Sequence, residues 1–398
     1  MFNSLQGLPA DPILNLMVQY RQDNNPLKVD LGVGVYKDEN GHTPIMQAVH
    51  AAEQQILATE TTKTYIGPAG SEGFSYHVSR LLLGNDHPVL ADKRVSMAQT
   101  PGGCGALRVA AEFLNRCNPN TTIWVSDPTW ANHIPTFKVA GLNIKEYPYY
   151  DSVTKGIKFD AMCSTLENAQ AGDVVLLHGC CHNPSGADLN QDQWKAITDI
   201  ILKNGLIPFV DIAYQGLGDG LNEDAFGLRL LASKAPEMVI ASSCSKNFGL
   251  YRERTGAVLI ISETTAQAEI SRSNLFSIVR GNYSMPPAHG ASIVETILAN
   301  PELAKSWDAE LTVMRERILK LRHQLAAEIA ATGCERSFAF IPQQKGMFSF
   351  LGIDKAQVAR LRDEYSIYMV DSSRISIAGL SAANIKYVAQ SLSAVLKD

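Results

Sequence analysis

The chain has no apolar run near the roughly 20 residues needed to cross a bilayer, no Cys-x-x-Cys pair, no internal repeat and no block of like charge. Without such a run, no membrane span is expected. The opening Met1-Phe-Asn-Ser-Leu-Gln has neither a basic leader nor an apolar core, so no secretory signal is expected either. Seven cysteines, an odd number scattered from Cys104 to Cys334, make no disulfide framework. They read as reduced thiols, and the expected compartment is the cytoplasm. A formal net charge of -5 offers no basic surface to nucleic acid or to an anionic membrane. What is there is ordinary globular material: 398 residues, 45% hydrophobic, long enough for two domains.

Between residues 95 and 260 short apolar runs alternate with amphipathic stretches. Residues 122–126, 173–178, 206–211, 238–242 and 256–261 read as buried strands, and 106–114 and 191–204 as helices. That alternation predicts an α/β fold with a largely parallel sheet covered on both faces. The last third differs. One long helical pattern fills 300–331, short strands follow at 348–351 and 374–377, and a terminal helix begins at 382. We therefore expect a large domain over 43–309 and a smaller α/β domain made of 1–42 and 310–398.

In open parallel sheets ligands bind beyond the carboxyl ends of the strands. His178, Asp211 and the segment carrying Lys246 all fall at such ends, which is the physical reason to read them as one site. Lys246 follows the apolar run 238–242 and sits among hydroxyls, in Ser243-Cys-Ser-Lys-Asn-Phe-Gly. A lysine in such a place, away from free water, can hold an aldehyde as a Schiff base. Asp211, at the end of a neighbouring strand, is placed to sit against a pyridinium nitrogen. Together they point to pyridoxal 5'-phosphate as cofactor. His178 is expected to support Asp211 from behind, and Tyr214 to donate to the cofactor's phenolate oxygen and lower the pKa of the imine.

The remaining candidates are weaker alone. The stretch from Thr100 to Arg108 holds Gly102, Gly103, Cys104 and Gly105 just ahead of a helical pattern. Its glycines can bring backbone N–H groups up to a phosphate at a helix N-terminus, or simply make a tight turn before a helix. Ser243, Ser245 and Arg254 can add hydroxyl and guanidinium donors to the same anion. Trp130, just past a strand end, can stack on a flat ring or belong to the core. Asn183, in the Asn-Pro-Ser-Gly turn, offers a carboxamide to the phenolate oxygen. Arg280 and Arg374 can each clamp a carboxylate of a dicarboxylic substrate, or form structural ion pairs. His178, Cys180, Cys181 and His182 invite a metal reading. Adjacent cysteines do not easily aim both sulfurs at one ion and no second ligand cluster is visible, so no metal is expected.

These motifs resemble the fold-type I pyridoxal phosphate-dependent aminotransferases, in the aspartate and aromatic amino acid subgroup. The resemblance runs from Asp11-Pro-Ile-Leu and Leu31-Gly-Val-Gly-Val-Tyr to Arg374-Ile-Ser-Ile-Ala-Gly. Its specific motifs are His182-Asn-Pro-Ser-Gly, Asp211-Ile-Ala-Tyr-Gln-Gly and Ser243-Cys-Ser-Lys-Asn-Phe-Gly-Leu-Tyr. It implies a mostly parallel seven-stranded sheet between helices, plus the smaller domain. It makes Lys246 the Schiff-base lysine, Asp211 the pyridinium partner, and Asn183 and Tyr214 the donors to the phenolate oxygen. Gly103, Cys104, Ser243 and Arg254 become phosphate ligands and Trp130 the stacking ring. Arg374, with Asn183 and the backbone of Gly34, would bind the substrate α-carboxylate. Tyr65 and Arg280 would reach the active site of a partner subunit, which implies a homodimer with shared sites. The implied activity is ping-pong transfer of an amino group from an amino acid to a 2-oxo acid, 2-oxoglutarate above all.

The subgroup markers split. Thr64, Cys104 and Met285 stand where aspartate-specific members carry an asparagine, a threonine and an asparagine, whereas Val35, Lys37 and Thr43 look like the aspartate type. A thiol is a weaker phosphate donor than a hydroxyl, and a methionine adapts to larger substrates. The expected substrates are aromatic amino acids (Phe, Tyr, Trp) with aspartate and glutamate also accepted. The alternative is an aspartate aminotransferase with little aromatic activity. A non-catalytic pyridoxal phosphate-binding regulator would be expected to carry a DNA-binding segment or a damaged site, and neither is visible.

Overall fold

The computed structural model describes residues 2–7 and 12–397; Asp11, the first residue of the N-terminal motif, lies outside them. The chain divides into two compact units, one of residues up to Thr43 together with Ile318 onward, the other Pro44–Arg317. The second joint falls inside the helix Pro301–Ala331, whose unbroken helical pattern gives the sequence no mark there.

The strands, in chain order, are β1 (Val29–Asp30), β2 (Val95–Pro101), β3 (Thr122–Asp127), β4 (Asn143–Pro148), β5 (Val174–His178) and β6 (Ile207–Ile212). They continue with β7 (Met238–Ser243), β8 (Thr255–Ile261), β9 (Phe348–Phe350), β10 (Ile367–Tyr368) and β11 (Arg374–Ser376). Seven of them form one sheet in the order β2-β8-β7-β6-β5-β3-β4. β4, β3, β5, β6 and β7 pair in parallel, while β8 runs antiparallel to both β7 and β2. This is the mostly parallel seven-stranded sheet that the motifs implied. β7 and β8 are buried along their whole length, as strands covered on both faces must be.

Two strands escape the apolar pattern. β2 carries Ser96, Gln99 and Thr100 fully inside, and β4 is an edge strand bearing Lys145 and Glu146. Neither makes a continuous apolar run, so periodicity alone does not find them. The helix read over 106–114 is also longer. It runs Gly102–Cys117, so the glycines form its first turn instead of a turn ahead of it.

That first turn is pressed onto the sheet. A Cβ at Gly256 in β8 would lie 2.5 Å from the carbonyl carbon of Gly102 and 2.6 Å from the carbonyl oxygen of Ser242. Only glycine allows the two backbones to approach so closely. The helix N-terminus is thereby set over the carboxyl end of β7, with Ala106, Leu107, Val109, Ala110 and Phe113 in the core beneath it.

The smaller unit holds two short pairings, β1 with β10 in parallel and β9 with β11 antiparallel. Arg322 is fully buried there and donates to the carbonyls of Ile341, Lys345, Gly346 and Phe348. One guanidinium thus satisfies carbonyls of the loop that leads into β9, together with that of the strand's first residue. The capping box of Asp354 and Gln357 starts the helix Lys355–Tyr365, and Ile385–Leu396 closes the chain, three residues later than its pattern suggests.

Candidate active site

His178 closes β5, Asp211 lies beside it in β6, and Ser242 and Ser243 close β7. The parallel register thus brings the polar ends of three strands to one edge of the sheet. The turn after β7 carries Lys246, whose amine lies 5.0 Å from the centre of the Tyr214 ring. Burial first, then the positive Arg254 guanidinium, push this amine below its ordinary value, against the opposing charges of Asp211 and Cys104. More of it is therefore free base at neutral pH than for a lysine in water. The same balance of charges shows Asp211, Cys104 and Arg254 to be gathered around one amine.

Asp211 is held as a carboxylate. Burial alone would raise its pKa, but a hydrogen bond from His133 and the charges of His133, His178 and Lys246 bring it below the usual value. His133 Nε2 lies 3.0 Å from Asp211 Oδ2, and a carboxylate only accepts, so Nε2 carries the hydrogen. On the other side of the ring, the Thr129 hydroxyl lies 2.8 Å from His133 Nδ1 and 3.1 Å from His178 Nε2. The Thr129 hydroxyl thus bridges the two imidazoles. His133, which the sequence reading did not single out, makes the hydrogen bond to Asp211, while His178 also helps to hold the carboxylate ionised. The helix His133–Val139 begins next to Trp130 and sets its first ring against that tryptophan, with centroids 5.3 Å apart. The available signal was His133 itself, in the same short segment as Trp130.

Behind Asp211 the aromatic layer continues. His182 stacks on Tyr149 and leans on His178, with centroids 4.2 Å apart in each case, and its nitrogens meet Ser126 and Ser185. Burial, followed by the charge of His133, pushes the His178 pKa down to about 3. Burial, His178 and His133 likewise hold His182 well below its usual value. Both rings are neutral in the folded protein and become protonated on unfolding below about pH 6.5. The unfolded chain then binds the extra protons, so stability is full above that pH and is lost as pH falls. Each such histidine is expected to cost about 1.4 kcal/mol per pH unit between 6.5 and the folded value. Urea unfolding at pH 7 and pH 5 checks this; equal midpoints would contradict the buried, neutral assignment.

The other expected donors group around the helix N-terminus. A Cβ on Gly102 would collide with Arg254 Nη2, and one on Gly103 would lie 3.1 Å from the Cβ of Ser243. Arg254 Nη1 donates to Ser245 Oγ at 3.4 Å and to the Tyr251 carbonyl at 2.9 Å. Cys104, in the first helical turn, accepts from Asn132 Nδ2 at 3.6 Å. A guanidinium, two hydroxyls and the free N–H groups of the first turn make a cradle for an anion. Asn183 lies in the turn after β5, is 8% exposed, and its Oδ1 has no hydrogen-bond partner.

Pyridoxal phosphate fits this chemistry. It needs an amine with a depressed pKa, a lasting carboxylate, an anion cradle and amide or phenol donors; Lys246, Asp211, the Gly102–Arg254 cradle, and Asn183 with Tyr214 supply them. The cradle that a Cβ on Gly102 would fill, beside the Arg254 guanidinium, is the observation that asks for such an anion; the unpartnered Asn183 Oδ1 is an acceptor, and the donor that Asn183 offers is its Nδ2. No described hydrogen bond joins Tyr65 or Arg280 to this group: Tyr65 is 89% exposed, and Arg280 donates to Ser284 Oγ at the end of the helix Thr265–Asn282. In the smaller unit Arg374 is buried, donates to the Gly32 carbonyl at 2.8 Å and lies 4.2 Å over the Phe348 ring. Gly34 meets the same ring, since a Cβ there would lie 2.6 Å from Phe348 Cζ.

The family model for aminotransferase class I and II matches residues 26–392. The aspartate aminotransferase of Salmonella typhi is 47% identical over 396 residues, covering 100% of both chains. The aromatic-amino-acid aminotransferase of Paracoccus denitrificans is 48% identical over 392 residues, 98% of this chain and 99% of its own. Among solved structures, the aromatic-amino-acid aminotransferase of Burkholderia pseudomallei, covalently bound to pyridoxal phosphate, aligns with a TM-score of 0.98 at 43% identity, covering 100% of this chain and 99% of its own.

Proposed function

Because the chain belongs to the class I and II aminotransferases, we propose that it moves the amino group of an aromatic L-amino acid, and also of aspartate and glutamate, to 2-oxoglutarate. The observation that carries the reading is the Lys246 amine, lowered in pKa by burial and set among Asp211, Tyr214 and the cradle at Arg254. Bound pyridoxal phosphate supplies an aldehyde that takes up the amino group and a ring that draws electrons from the substrate Cα. The protein does the rest. Lys246 Nζ holds the cofactor at rest and then takes and returns the Cα proton. Asp211 keeps a proton on the ring nitrogen, and Asn183 and Tyr214 donate to the phenolate oxygen. Gly103, Cys104, Ser243 and Arg254 receive the phosphate, with Trp130 against the ring.

Arg374, Asn183 and the backbone of Gly34 are assigned to the substrate α-carboxylate. Support for the arginine comes from its burial over Phe348, where a guanidinium keeps its planar fork oriented. Arg280 is assigned to a second carboxylate and Tyr65 to the cofactor, both in a partner subunit of a homodimer. The near-complete exposure of Tyr65 on a loop that also exposes Ile66 supports a surface meant for a partner. Among the described residues no helix is long and apolar enough to cross a membrane. We place the enzyme in the cytoplasm, a reading supported by cysteines that form no disulfide.

Aromatic substrates are favoured by Met285, half-buried and flexible, and by Cys104 in the cradle. The aspartate reading keeps its own support in the Lys37–Asp30 ion pair at 3.0 Å, which preserves an aspartate-type marker. The two separate in half-reactions. L-phenylalanine and L-aspartate, each added alone to holoenzyme, are expected to convert bound cofactor from its aldehyde to its amine form at comparable concentrations. Conversion by aspartate alone would leave the aspartate enzyme standing. The complete reaction is expected to give parallel initial-rate lines, as a ping-pong mechanism requires.

A further inference from the structure

Cys180 and Cys181 follow β5 at the bend before His182, and the proposed reaction uses neither. Both are buried, at 6% and 2% exposure, as is Asp224. Their sulfurs and one Asp224 carboxylate oxygen all lie within 4.8 Å of one another. Adjacent cysteines are expected to point apart; here Cys181 has φ 52, and the turned backbone brings both sulfurs to one side, close enough for a thiol–thiol hydrogen bond. Asp224 is fixed independently of them. Its Oδ2 accepts from the amides of Gly216 at 2.8 Å and Gly218 at 2.9 Å, and its Oδ1 accepts from the amide of Asp219 at 2.8 Å. With a single N–H on it, Oδ1 keeps a lone pair for a further partner.

We propose that Cys180, Cys181 and Asp224 form a site for a thiophilic divalent cation of the zinc and cadmium class, separate from the cofactor group. The donors decide the class. Calcium and magnesium take oxygen ligands only, whereas two sulfurs and one carboxylate suit a soft or borderline ion. A zinc–sulfur bond of about 2.3 Å puts two thiolates roughly 4 Å apart, so the three atoms need to close by less than about 1 Å. Binding is a proton exchange: two thiols give up their hydrogens to solvent, two metal–sulfur bonds form, and no electron moves.

Charge around the site sets the conditions. Cys180 faces Cys181, Asp224 and Asp188; the hydrogen bond to Cys181, burial and these charges raise its pKa well above the usual thiol. Asp188 lies alongside, taking the amides of Cys181 and His182 at 2.7 Å each. Burial raises Asp224 despite its three N–H bonds, and Asp219 adds to that. A metal displaces the thiol protons when it binds, so affinity must climb with pH, by up to about a hundredfold per unit if two protons leave. Cys181 is followed directly by His182 and Asn183, so an ion drawing its sulfur inward also moves Asn183. Occupancy is then inhibitory, a consequence that rests on the role proposed for Asn183; the binding itself does not.

Titration of holoenzyme with Cd2+ tests this, read by the thiolate-to-cadmium charge-transfer band and by equilibrium dialysis. One ion per chain is expected, with the band lost in Cys180→Ser and in Cys181→Ser and the affinity reduced in Asp224→Asn. The wild type alone supplies a second reading, a pH dependence of affinity corresponding to two released protons. Absence of binding, a band unchanged in both serine variants, or release of a single proton, as one exposed thiol such as Cys117 would give, overturns the site.

Discussion

Lys246→Ala is expected to reduce transamination by about 10⁴-fold or more while leaving a folded protein that still takes up pyridoxal phosphate. Two functions are lost together, the covalent hold on the aldehyde and the transfer of the Cα proton. Proton transfer alone contributes about 10²- to 10⁴-fold. Binding persists because the cradle at Gly103, Ser243 and Arg254, together with Asp211, does not depend on the amine. The readouts are the single-turnover rate with L-phenylalanine and the cofactor retained after gel filtration. Lys246→Arg separates the roles further. It keeps the positive charge beside Asp211 but cannot release a proton near neutral pH, so it is expected to be as inactive as the alanine variant. Activity near the wild-type level in either variant would remove Lys246 from the chemistry. Substantial recovery in the arginine variant alone would make its contribution one of charge.

The sequence reads best where burial is simplest. β5, β6 and β7 lie inside a parallel sheet, so each appears as an unbroken apolar run, and the polar residue ending each run marks the working edge. That is how Asp211 and Lys246 stand out before any coordinates. β2 and β4 do not show, because one buries Ser96, Gln99 and Thr100 and the other is an exposed edge. His133 is hidden for another reason: its role depends on a helix starting beside Trp130 and reaching across to β6, a contact spanning 78 positions that no local pattern encodes. The convergence of Cys180 and Cys181 depends on a left-handed backbone at Cys181, a position that is not itself a glycine and so does not announce it. Tyr65 and Arg280 sit at the far limit. Their proposed partners belong to another subunit, so a single chain presents them only as exposed side chains.

Asp211→Asn is expected to lower the rate of the half-reaction by about 10²- to 10³-fold. The asparagine is nearly the same shape, so what changes is the charge. A neutral amide no longer holds a proton on a ring nitrogen, and truncating one member of a buried, hydrogen-bonded charge pair costs about 2–5 kcal/mol, at 1.36 kcal/mol per factor of ten. His133 provides the control that separates charge from position. Its Nε2–H steadies the carboxylate from the far side, and a charge-assisted hydrogen bond of this kind contributes about 1.5–3 kcal/mol. His133→Ala is thus expected to do less harm than Asp211→Asn, and the double variant to fall short of the sum of the two, since the histidine acts only through the carboxylate. Single-turnover rates of the four proteins give the cycle. If His133→Ala costs as much as Asp211→Asn, the placement of the carboxylate governs the rate and its charge does not. If the two losses simply add, His133 works by some route other than Asp211, and the chain from Thr129 through His133 to the ring nitrogen is broken.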